Sequence, residues 1–84
     1  DEIRSRLETA VNAKTCADSA EAREIVSLHR RWLGFSGFEY DETRHRGLAA
    51  IYTSDERFAA YYDRNVPGCA ALLASAIERW AGRC

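Results

Sequence analysis

The chain has 84 residues, room for one domain with a groove or small pocket but not for a large internal catalytic cleft. Hydrophobic residues make up 46% and charged residues 30%, the balance of a soluble globular protein. The net charge of −1 speaks against direct nucleic-acid contact, and no apolar run approaches the ~20 residues of a membrane span.

Every stretch has a helical polarity period. None shows the sustained alternation and β-branched enrichment of a strand. The first helix is expected over 2–13, with Ile3, Leu7, Ala10 and Val11 on one face and Asp1 at the capping position. The segment "KTCADS" ends it. The second is expected over 19–33, opened by Asp18 with Glu21 three residues on, a capping-box spacing. Its apolar stripe is Ala22, Ile25, Val26, His29, Trp32 and Leu33. "GFSGF" follows, with Gly34 and Gly37 suited to stopping the helix and turning the chain.

A third helix is expected over 42–52, capped by Asp41, with His45, Leu48, Ala49 (or Ile51) and Tyr52 inward. Gly47 lies inside it, where glycine often marks a close approach by another helix or a ligand. Thr53 and Glu56 then form the capping box of a short fourth helix over 54–64, whose adhesive face is Phe58, Tyr61 and Tyr62. "RNVPG" breaks it, and Pro67 suits the first turn of a fifth helix over 67–81. Cys69, Leu72, Leu73, Ala76, Ile77 and Trp80 give that helix the cleanest stripe in the chain. The expectation is a single all-α domain of about five short helices.

Chemistry is sparse. No nucleophile elbow, P-loop or dinucleotide fingerprint is present. His29 and His45 are the only histidines. Nothing near them adds acids or thiols at metal-ligand spacing, so both read as polar core histidines, with no metal and no cofactor expected. Asp55, Glu56 and Asp63 read as helix-end acids rather than a catalytic pair. The three cysteines, Cys16, Cys69 and Cys84, are odd in number and lack a C-x-x-C pair, which favours free thiols in a reducing cytoplasm. Cys69 sits in an apolar run and reads as a small buried hydrophobe. An enzyme is not expected.

The unusual feature is aromatic. The chain holds two Trp, four Tyr and three Phe, and all but Trp80 fall between Trp32 and Tyr62. Rings with polar tips suit grooves for amphipathic ligands, and they equally suit a tyrosine-rich core with wet hydroxyls. Composition leaves these two readings even.

The segment "HRGLAAIYTSDERFAAYYDRNVPGCAALLASAI" resembles the C-terminal signature of the TipAS antibiotic-recognition family. The match is carried by His45, Tyr52, Asp55, Arg57, Phe58, Tyr62, Asp63, Pro67, Gly68, Leu72, Ala76 and Ile77. Upstream, "SAEAREIVSLHRRWLGFSGFEY" keeps the family's order more loosely. The resemblance implies a globin-like helical domain over residues 1–84 that senses bulky, partly apolar antibiotics in an aromatic-lined cleft. It implies service either as the effector-sensing part of a MerR-type transcription regulator or as a stand-alone drug-sequestering protein. In the regulator, DNA is contacted by a separate N-terminal domain, and a homodimer forms through the full-length chain. The first residue is not methionine, which gives the expectation of a piece of such a longer chain. The thiopeptide-binding prototype captures its ligand through a cysteine, whereas Tyr40 and Gly47 stand at the prototype's cysteine positions here. Noncovalent binding is therefore expected, with Trp32, Phe38, Tyr40, His45, Gly47, Tyr52, Tyr61 and Tyr62 lining the cleft and Phe58 and Ile77 in the core. The reading from another class is a protein-interaction or dimerisation domain whose groove takes a partner helix.

Overall fold

Five apolar stripes become five helices: α1 (Glu2–Asn12), α2 (Ala20–Phe35), α3 (Glu42–Ser54), α4 (Glu56–Tyr62) and α5 (Cys69–Trp80). The structure is a computed structural model that describes residues 2–35, 37 and 39–81, and no strand occurs among them. Asp1, Phe38 and Cys84, which carried a capping, a cleft and a thiol expectation, lie outside the described residues. No helix among the described residues is long and apolar enough to cross a membrane.

The most apolar helix is central. α5 packs against each of the other four and shares its largest interface with α3. Cys69, Leu73, Ala76 and Ile77 of α5 are fully buried, as are Leu7 of α1 and Ile25 and Val26 of α2. Each fully buried Leu or Ile side chain contributes about 1.5–3 kcal/mol of hydrophobic stabilisation. That burial, rather than intrinsic helix propensity, holds helices this short.

The helix ends explain where sequence-based boundaries shift. α1 closes with two backbone bonds, Thr15 N–H to Ala10 O at 2.9 Å and Lys14 N–H to Val11 O at 3.0 Å. Lys14 supplies the left-handed turn, φ 56°, that this ending needs. α2 is capped by Ser19, not Asp18: the Ser19 hydroxyl accepts from Ala22 N–H at 3.2 Å and donates to Cys16 O at 2.7 Å. α2 also continues through Gly34, and the left-handed glycine of the following turn is Gly37, φ 80°.

α3 opens as expected, with Asp41 accepting from Arg44 N–H at 3.1 Å. It does not end at Thr53. The backbone bond from Asp55 N–H to Ile51 O at 2.8 Å carries the helix on, and the Thr53 and Ser54 hydroxyls donate back to Ala50 O at 3.2 and 2.7 Å, which keeps them from capping the next helix. Asp55 then closes α3 through its backbone N–H and caps α4 through its side chain, which accepts from Arg57 N–H at 2.9 Å.

The start of α5 is unusual. Its N-cap is Gly68, which at φ 99° has no side chain to offer. Asp63, at the end of α4, reaches across the turn instead, and its Oδ1 accepts from Ala70 N–H at 2.8 Å. Replacing Asp63 by alanine is expected to cost about 1 kcal/mol, read as a lower urea midpoint with an unchanged slope.

Candidate functional site

α4 is seven residues long and places Phe58, Tyr61 and Tyr62 on one side at i, i+3 and i+4. Tyr52 comes from α3 and Trp32 from the last turns of α2. Together with Arg57 these residues line a cavity of about 500 Å³, within the range of small-molecule sites. The rings meet edge to face: Tyr52 with Phe58 at 5.5 Å, Tyr52 with Tyr62 at 5.3 Å and Tyr61 with Tyr62 at 5.1 Å between centroids. Trp32 is 48% exposed, Phe58 43% and Tyr61 42%, so much ring surface is left for a ligand to cover.

Phe58 was expected in the core and lies in the cavity wall instead. The reason is satisfaction of hydroxyls. Tyr52 and Tyr62 are buried because their hydroxyls are hydrogen-bond partners of each other, and this takes up the inner positions of the cluster. Phe58 is left at the rim. Ile77 is fully buried, as expected.

Arg57 is the one charged residue in the lining. It is paired with Asp55 at 3.3 Å, and its hydrogen bonds hold the Asp55 carboxyl below its usual range. Arg4 of α1 stands over the Tyr61 ring at 4.9 Å. On the other side of Trp32 lies a second cavity of about 320 Å³, lined by Glu2, Ile3, Leu28, Arg31, Trp32 and Phe35. Sequence reasoning missed it because the second helix was expected to end at Leu33. Leu28, Trp32 and Phe35 are spaced i, i+4, i+7 on the longer helix.

Behind the cavity wall runs a chain of hydrogen bonds. The Tyr40 hydroxyl meets His45 Nδ1 at 3.1 Å, His45 Nε2 meets His29 Nδ1 at 3.0 Å, and His29 Nε2 meets the Tyr52 hydroxyl at 2.9 Å. Both histidines have 0% exposure, and their rings stack at 5.1 Å. Burial, and secondarily His45, pushes His29 down from 6.5 to about 4. Burial, then Arg30 and Arg46, pushes His45 down as well. Burial pushes the Tyr52 and Tyr62 hydroxyls up. Near pH 7 all four groups are neutral.

The cleft expectation therefore divides. Trp32, Tyr52, Tyr61 and Tyr62 line the cavity. Tyr40 and His45 stand behind it in the hydrogen-bonded chain, His45 because full burial removes it from any wall. Gly47 is exposed on α3, with no atom within 4 Å of where a Cβ would sit, so nothing approaches it closely. It lines none of the cavities described above. His29, read only as a core residue, is the link that joins the chain to the wall. Cys69 is buried and its thiol is pushed up by that burial, while Cys16 is exposed; neither lines the aromatic cavity. No cluster of metal-ligating residues occurs among the described residues.

Fold and site define a small all-helical domain with an aromatic cavity at one side. The family model of the TipAS antibiotic-recognition domain matches residues 1–80, and the chain belongs to that family. No curated protein and no solved structure matches the chain.

Proposed function

We propose that this domain binds bulky, largely apolar antibiotics noncovalently in the cavity between Trp32 and α4. The observation that carries the reading is the wall itself. Five aromatic rings converge on about 500 Å³, and three of them are more than two-fifths exposed. Leaving such rings open costs solubility, and a ligand that covers them recovers the hydrophobic term. Tyrosine hydroxyls at the wall orient a ligand's polar atoms, and the absence of any thiol from the lining favours reversible binding. Membership of an antibiotic-recognition family supports the same ligand class. In this reading the domain is non-enzymatic. It serves as the effector-sensing part of a MerR-type regulator, with DNA contacted by another domain, or as a drug-sequestering protein in the cytoplasm.

The test is fluorescence. Titration with a panel of macrocyclic antibiotics is expected to shift Trp32 emission in a saturable way. Trp80, whose Nε1 donates to Ala17 O at 2.9 Å, supplies the constant background. The response should vanish in Trp32→Phe. A folded sample that answers to no member of the panel overturns the reading.

A further inference from the structure

The hydrogen-bonded chain behind the wall contains two imidazoles in series, and counting hydrogens leaves it only two self-consistent arrangements. Each neutral histidine carries one N–H. In the first arrangement the Tyr40 O–H donates to His45 Nδ1, His45 Nε2–H donates to His29 Nδ1, and His29 Nε2–H donates to the Tyr52 oxygen. The Tyr52 O–H then donates to its other partner, the Tyr62 hydroxyl, which leaves the Tyr62 O–H as the donor at the end of the chain. In the second, every bond is reversed. The Tyr52 O–H donates to His29 Nε2, His29 Nδ1–H donates to His45 Nε2, and His45 Nδ1–H donates to the Tyr40 oxygen. Tyr52 then has only lone pairs left and accepts from the Tyr62 O–H, so the chain ends on the lone pairs of Tyr62. A mixed arrangement puts two hydrogens or none between the histidines, which a fully buried pair does not tolerate.

We infer that His29 and His45 form a tautomeric relay that lets the Tyr52–Tyr62 hydroxyl pair act toward the cavity as donor or as acceptor, according to what the ligand carries. This rests on the aromatic cavity being the ligand site, since Tyr52 and Tyr62 are the members of the chain that line it. His29 and His45 are positioning residues: they touch no ligand and set the polarity of one that does.

Conversion balances with both imidazoles neutral. Going from the second arrangement to the first, the Tyr52 proton passes to His29 Nε2, the His29 Nδ1 proton to His45 Nε2, and the His45 Nδ1 proton to Tyr40. Tyr52 takes the Tyr62 proton, Tyr62 takes up a replacement from water on the cavity side, and Tyr40 releases its former one to water at the far end. Tyr40 is only half-buried and lines a shallow cavity with Glu39, Asp41 and Arg44, so that end is reachable. The depressed basicity of both histidines keeps a charged intermediate from being the resting state near pH 7.

The advantage to a drug sensor is breadth. A buried tyrosine with a fixed partner accepts or donates, and rejects ligands of the wrong kind because a polar group is left unpaired. A reversible chain removes that penalty for both kinds.

The experiment reads histidine tautomers by long-range ¹H–¹⁵N spectra at pH 7, in protein labelled with ¹⁵N-histidine. Its first arm needs no ligand. A buried acceptor left unpaired is better tolerated than a buried N–H. Tyr52→Phe is therefore expected to drive His45, which Tyr52 does not touch, to the Nδ1–H form. Tyr40→Phe is expected to drive His29, which Tyr40 does not touch, to the Nε2–H form. The tautomer ratio of each histidine should differ between the two variants by about tenfold or more. Identical tautomers in two folded variants overturn the relay; if one variant fails to fold, a far histidine in the other that holds the opposite tautomer to the one named does so.

The second arm uses two bicyclic probes of similar shape. Quinoline offers an acceptor nitrogen, and indole offers an N–H donor. Quinoline should raise Nε2–H at both histidines together, and indole should raise Nδ1–H at both. Probes that shift the Phe58 and Tyr61 ring signals but leave both tautomer ratios unchanged overturn the relay alone. If neither probe nor any antibiotic shifts those rings, the cavity reading fails, and the inference fails with it.

Discussion

Lowering the pH from 7 to 4 is expected to cost the domain about 3 kcal/mol of folding stability, with His29 as the main cause. Unfolded, His29 takes up a proton near its ordinary value of 6.5; folded, it refuses one until about 4. Between those values the unfolded state binds more protons than the folded state, so stability rises with pH. It is complete above 6.5 and lost as pH falls toward 4. His45 is depressed by burial too, and it acts in the same direction. For a domain of this size the loss is a large share of the total. Urea melts at pH 7, 5.5 and 4 measure it. The same melts on His29→Gln should show a clearly flatter dependence over that window, even if that variant starts from a lower stability. An equally steep loss in the variant would assign the effect to other groups.

The second large effect is on affinity. Trp32→Ala is expected to weaken antibiotic binding about 30-fold, or ~2 kcal/mol, by removing a ring that walls both cavities. Its effect on stability should stay within about 1 kcal/mol, because the ring is 48% exposed and leaves no core void. Calorimetric titration beside a thermal melt separates the two. A variant that binds as tightly as the parent would place the ligand elsewhere. A variant that unfolds would make Trp32 structural.

Much of the architecture was legible because five stripes of apolar residues recur at helical spacing and each had to be buried. The α5 stripe is the clearest case: Cys69, Leu73, Ala76 and Ile77 are buried as its period names, Leu72 and Trp80 are half-buried, and Ala70 and Ala74 are buried beside it. The helix ends were less legible. Thr53 and Asp55 are both good N-caps, and the choice turned on hydroxyls bonding back to Ala50, which residue type alone does not reveal. The bond from Ala70 N–H to Asp63 is set by the path of a turn.

In the site, residue types were legible and their depth was not. Phe58 was expected in the core and Tyr62 in the cleft lining, yet the more polar ring lies deeper because Tyr52 satisfies its hydroxyl. The pairing of His29 with His45 joins positions on different helices, and no local pattern carries it. The family resemblance correctly named the family; of the residues it pointed to, His45 stands behind the cavity wall and Gly47 on the exposed face of α3.

One arrangement bears on how such a domain changes its clientele. Asp55 closes α3 and opens α4, and Asp63 stands at the end of α4 while holding the start of α5. The cavity's outer wall is thus hung from two carboxylates at its corners and from the buried Tyr62 ring rather than from the exposed rings it displays. Phe58 and Tyr61, both more than two-fifths exposed, contribute little to keeping it in place. The wall can be re-lined without being re-hung: exchanging those rings changes what the domain greets while leaving the frame, and most of its stability, where it was.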